Sequence, residues 1–147
     1  MNQIKLYTWL AYLGTFPFVL SATLISLDIQ KLIILGDLVF VANSYALVIV
    51  VFMSGIHWGN YLSDKQSSTI NLLLTSNAIT IFSWLAFLTL PLPFVFVFYC
   101  IAFFLLLLID MKLFSHNVIT KHYLVTRCMV TCIVITSLLL IVVSLTN

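Results

Sequence analysis

His57, Asp110, Tyr123 and Arg127 are the side chains in this 147-residue sequence whose types and positions could carry chemistry. An imidazole paired with a carboxylate can act as a base with its orienting acid, or can switch its protonation near neutral pH. Arg127 adds a permanent positive charge, and Tyr123 precedes it by one helical turn on the same face. Their surroundings are what single them out. The chain has only six basic and four acidic residues, and none from Gln66 to Ile109. His57 lies about 10 Å of helix rise from Asp64, inside an apolar run, where an unsatisfied polar group costs several kcal/mol. Its ring therefore needs partners, and ionisable groups at such depth are candidates for function by default.

The elements that position these residues follow from hydropathy. Hydrophobic residues make up 63% of the chain and charged ones 7%, against about 25% charged in soluble domains, and the mean hydropathy is +1.23. The charge-free stretch is long enough for about two crossings of a ~30 Å hydrocarbon core, and Pro91-Leu92-Pro93 supplies the turn between them. The expected fold is an all-α membrane protein, a single domain built as an up-down bundle of five transmembrane helices. They run over about residues 6–27, 38–62, 70–90, 94–114 and 123–145, and no strand is needed. The run after Lys5 continues to Leu27, which reads as a retained span rather than a cleaved signal. Lys5, Lys65, Lys112, Lys121 and Arg127 fall on one side of such a bundle, and Lys31, beside Asp28 and Asp37, on the other. By the positive-inside rule the N-terminus is expected in the cytoplasm and the C-terminus outside, in a bacterial inner membrane. The net charge of +2 gives no basic face for nucleic acid.

Most other polar and small residues read as packing devices. Gly55 and Gly59 form a G-x-x-x-G that allows close helix approach, within the bundle or to a partner. They point almost opposite to His57, whose face holds Asn43, Ala46, Ser54, Tyr61 and Asp64. Ser76, Thr80 and Ser83 make a hydroxyl stripe suited to interhelical hydrogen bonds. Pro17, next to Gly14, is expected to kink the first span, and Trp84 to pack inside the bundle. Bland alternatives exist for the ionisable residues as well. Arg127 could snorkel to the headgroups, Asp110 could cap its span or pair with Lys112, and His116 and His122 fall in a polar loop as solvated side chains. Cys100, Cys128 and Cys132 lie in apolar runs as small hydrophobes, with no ligand spacing for a metal.

The segment Leu10-Ala11-Tyr12-Leu13-Gly14-Thr15-Phe16-Pro17-Phe18 and, further on, Tyr45 through Ser54-Gly55-Ile56-His57-Trp58-Gly59 resemble the signature of the domain of unknown function 3429 family. That bacterial membrane family takes in the mitochondrial transmembrane protein 69. The likeness extends to Trp84, to Asp110 after a leucine-rich run, and to Tyr123 four residues before Arg127. It implies a five-helix integral membrane protein with His57, Asp110 and Arg127 as the family's polar positions, and it implies no established activity. Two departures are Ser54, where glycine is frequent, and Ile79, where a proline is common, so a kink of the third helix does not carry over.

Three functions are consistent with these features. The first is a non-enzymatic accessory or assembly subunit docking onto a larger membrane complex or onto its own copies. The second is a proton-linked carrier using His57, Asp110 and Arg127. The third is a redox protein in which His57 ligates haem or hydrogen-bonds a quinone, although a bis-His haem would need a second imidazole at similar depth. No resident cofactor is expected, and membrane lipids are the expected surroundings. An enzyme is disfavoured, since the chain has no G-x-S-x-G, no H-E-x-x-H and no acidic cluster for Mg²⁺ and phosphate.

Overall fold

Pro17 divides the first crossing in two. Lacking an amide hydrogen, it cannot bond the carbonyl four residues back. The chain ends α1 (Gln3–Leu13), turns through Gly14 and Thr15, and starts α2 (Phe16–Ser26) with Pro17 in its first turn, where proline is tolerated. The expected kink is thus a break between two helices that together make the span Leu6–Ser26. Because the Phe18 amide bonds Thr15, the Gly14 carbonyl is free to accept the Tyr45 hydroxyl across 3.0 Å from α3 (Leu38–Leu62). The computed structural model describes residues 3–62 and 71–146, with side chains from Leu6 onward. The side chain of Lys5, and Asp64, Lys65 and Ile70, on which parts of the sequence reading rest, lie outside the described residues.

Between α2 and α3 the chain forms a small hairpin that hydropathy does not reveal. Asp28 takes φ 60° and Ile29 donates to the Leu24 carbonyl at 3.0 Å, a left-handed helix ending that satisfies carbonyls left over by the last turn. Strands β1 (Lys31–Leu32) and β2 (Gly36–Asp37) then pair antiparallel, Lys31 opposite Asp37 and Leu32 opposite Gly36. Gly36 has φ 72°, a value open to glycine at little cost. Asp37 also caps α3, its Oδ1 accepting from the amides of Val39 at 2.8 Å and Phe40 at 3.2 Å. The hairpin corrects the expectation of no strands, although the ladder is only two residue pairs long.

The remaining helices are α4 (Leu72–Thr89), α5 (Leu92–Ser115) and α6 (Lys121–Thr146). Asn71 caps α4 by accepting from the Leu74 amide at 3.1 Å, and α4 passes Ile79 without interruption. Helix α5 begins two residues before the expected Phe94, because Pro93 can occupy the first turn and needs no donor there. It ends in another left-handed turn at Asn117, φ 59°, with Val118 bonding Leu113. Thr120 then starts α6 by accepting from the Tyr123 amide at 3.3 Å.

Among the described residues, five spans are long and apolar enough to cross a membrane: α1 with α2, then α3, α4, α5 and α6. The tightest pairs are α5 with α6 and α3 with α4, while α2 lies across α6 and α3, and α5 also packs on α3 and α4. Small residues lie inside, among them Ala22, Ala42, Ala46, Ala86, Ala102 and Ser137, whereas Phe40, Phe52, Ile81, Phe82 and Leu88 face outward. Outward apolar side chains suit lipid, which solvates leucine and phenylalanine as well as another helix does, while the small inward residues let the helices approach closely. The interior aromatic set is Phe18, Phe96, Tyr99 and Phe103, with Phe18 edge-on to Phe103 at 6.0 Å. Trp84 does not join it: at 53% exposure it belongs to the outer surface, because Ser83 and Ala86 take the inward positions of α4.

Candidate functional site

Three helices converge on Asp110. Residues Ala42, Asn43, Ala46, Val50, Ser54 and His57 are all buried and recur at three- and four-residue spacing, so the inner face of α3 delivers His57 to the interior. Helix α5 buries Leu106, Ile109 and Asp110, and α6 buries Thr126, Arg127 and Thr131. All three ionisable side chains lie at the end of the bundle where α3 and α5 finish and α6 begins, with exposures of 1% for His57, 1% for Asp110 and 6% for Arg127.

The geometry is that of one carboxylate shared by two donors. His57 Nε2 bonds Asp110 Oδ1 at 2.9 Å, and Arg127 Nε donates to Asp110 Oδ2 at 2.9 Å. Arg127 Nη1 also meets Met53 Sδ at 2.7 Å, one turn before His57 on α3. Because the carboxylate can only accept, His57 gives it the Nε2 proton, leaving Nδ1 buried without a partner among the described residues. The trio holds α3 to α6 through α5, where those two helices share little direct packing. An uncompensated charge at such a place destabilises by about 3–5 kcal/mol, so each member depends on the others.

Tyr123 sits beside the trio without bonding to it. Its ring stacks on Tyr7 of α1, with centroids 5.5 Å apart and planes at 17°. A second tie between the same helices joins Thr8 Oγ1 and His122 Nε2 at 2.9 Å, so His122 fastens α1 to α6 rather than being solvated alone. His116 is exposed just beyond α5. Neither brings a second imidazole to His57, and no group of three His, Cys, Asp or Glu that could hold a metal forms among the described residues.

The bland alternatives for Asp110 and Arg127 are corrected by these contacts: Asp110 pairs with His57 and Arg127, not Lys112, and Arg127 turns inward instead of snorkelling. The small-residue positions divide. Ser76 and Ser83 are buried and Thr80 half-buried where α4 meets α3. Ser76 donates to the Leu73 carbonyl of its own helix at 3.1 Å, and the Ser83 hydroxyl has no partner among the described residues. The stripe therefore serves by its small size, since helical serines readily bond back to their own backbone. Gly55 and Gly59 are exposed, and a Cβ built on either meets nothing within 4 Å among the described residues. They do not pack the bundle, because the opposite face of α3 is the one turned inward.

A cavity of about 430 Å³ adjoins the trio between α1, α3 and α6, walled mainly by apolar side chains and reaching Tyr7, Met53, Tyr123, Arg127 and Thr131. Sequence reasoning missed Tyr7, Met53 and Thr131. Two of them stand one helical turn from a chosen residue, Met53 before His57 and Thr131 after Arg127, and extending each polar face by a turn would have found them.

The model of the family described as Protein of unknown function (DUF3429) matches residues 4–143. No curated protein and no solved structure matches the chain significantly. The match takes in both halves of the broken first span, the glycines of α3 and every member of the trio, and the chain belongs to this family of proteins of unknown function.

Proposed function

We propose that the protein is a small accessory or assembly subunit, without catalytic activity of its own, that docks onto a transmembrane helix of a larger membrane complex through the outer face of α3. One observation carries this reading: Gly55 and Gly59 lie bare on that face, with open space where side chains would be. Each glycine destabilises a helix by about 1 kcal/mol relative to alanine, and no described residue comes close enough to need either of them. Close approach by another backbone, crossing at about −40° as in G-x-x-x-G pairs, makes use of both. The hairpin adds a second apolar surface, with Ile33 and Ile34 almost fully exposed at its tip. Within this reading the trio is an internal lock that fixes α3 against α5 and α6 and so presents the glycine face. The subunit is proposed to lie in a bacterial inner membrane with its N-terminus in the cytoplasm, as the distribution of basic residues supports.

The open space allows a clean test. Gly55→Leu with Gly59→Leu should leave helix content and thermal midpoint in detergent unchanged or raised, while abolishing co-purification of the larger complex. Unchanged co-purification would remove the reading.

A proton-linked carrier is the second reading, supported by a titratable pair, His57 and Asp110, one hydrogen bond away from Arg127 on the wall of a cavity. It requires a pH-dependent flux in proteoliposomes that Asp110→Asn abolishes, and proteoliposomes without such a flux would eliminate it.

A further inference from the structure

The cavity beside Arg127 has the build of a ligand site, and three polar groups on its wall can each donate a hydrogen bond. The Tyr7 hydroxyl and Thr131 Oγ1 are both buried and lack partners among the described residues, and both residues line the cavity. Arg127 reaches the same wall, with Met53 Sδ, a weak acceptor, on Nη1. Arg127 can only donate, and the two hydroxyls can donate as well as accept, so one acceptor oxygen suits all three. The charge of Arg127 is already matched by Asp110 at 2.9 Å, which favours a neutral carbonyl over a carboxylate. The stacked rings of Tyr7 and Tyr123 stand beside these donors and suit a flat conjugated head. The rest of the wall is apolar, and it includes outward-facing residues of two helices, Leu10 of α1 and Phe52 of α3. The cavity therefore opens sideways, between α1 and α3, into the acyl-chain region. Its volume of about 430 Å³ falls within the range of small-molecule pockets, ~300–1,000 Å³.

We propose that this cavity binds the head of a quinone-class lipophile: a flat ring whose carbonyl accepts from Tyr7, Thr131 and Arg127, with its apolar tail leaving between α1 and α3. Quinone binding does not rest on docking at the glycine face: Phe52 at the mouth shares a stripe of α3 with Gly55 and Gly59, but the binding is read on the chain alone, with no partner present.

The test is equilibrium binding of a radiolabelled short-chain ubiquinone analogue to the full chain in phosphatidylcholine nanodiscs. One saturable site is expected, weakened about five- to tenfold by Tyr7→Phe or by Thr131→Val, the worth of one net hydrogen bond. Neither change should lower the thermal midpoint of the ligand-free protein, because each removes a hydroxyl that is unpaired without ligand. Absence of saturable binding would overturn the proposal, as would equal affinity in parent and both variants. Displacement of the quinone by equimolar oleate would show that the donors take a carboxylate and would overturn the neutral-ring assignment. A phospholipid that stays with the purified protein and is not displaced by the quinone would do the same.

Discussion

Arg127 Nε and Asp110 Oδ2 meet at 2.9 Å with both side chains withdrawn from the surface, while His57 takes the other carboxylate oxygen. A buried pair of this kind is costly to break and far less costly to remove whole. Asp110→Leu and Arg127→Met should each lower stability by about 3–5 kcal/mol in reversible detergent unfolding. The double substitution should cost clearly less than the sum, and strict additivity would mean that the two groups do not depend on each other.

His57 enters the same network by one bond. His57→Leu leaves Asp110 Oδ1 without its donor, at about 1–3 kcal/mol. His57→Gln can return an N–H to that oxygen and should recover a large part of the loss. Equal midpoints for the two variants in thermal unfolding would argue against the bond.

The same reasoning explains what sequence could and could not tell. The five spans were legible because length and hydropathy suffice for them, and the residues of the trio stood out because so few others are ionisable. The hairpin was hidden because residues 28–37 read only as the connection between two spans, whereas the backbone of Asp28, Gly36 and Asp37 decides the turn. Trp84 was misplaced because it stands near mid-helix, away from the headgroup region, whereas the inward positions of α4 go to Ser83 and Ala86. The direction of Gly55 and Gly59 became clear only once α3 had neighbours, since a helix alone does not say which of its faces is covered.

Trp84 provides a direct optical check of the outward face of α4. As the sole tryptophan, after replacement of Trp9 and Trp58 by phenylalanine, it should be strongly quenched by lipids brominated on their acyl chains. Quenching no greater than that of a buried reference would contradict its outward position.

The break at Pro17 is held by the bond from Tyr45 to the Gly14 carbonyl. Tyr45→Phe should lower stability by about 0.5–1.5 kcal/mol, read as a fall in thermal midpoint with little change in helix content. No fall would mean that the broken span is held by other contacts.

The hairpin tip reports orientation. Ile34→Cys should react with a membrane-impermeant maleimide applied to intact cells, because the tip is exposed and the proposed orientation puts it on the outer side. Labelling only after the cells are opened would reverse the topology.

The docking reading is tested most directly by a photoreactive amino acid introduced at Gly55, at Gly59 and, as a control, at outward-facing Phe82 of α4. Irradiation in native membranes is predicted to give the same heterologous protein adduct from Gly55 and Gly59 and none from Phe82. Adducts with lipid alone, or a product of twice the chain's own mass, would contradict it.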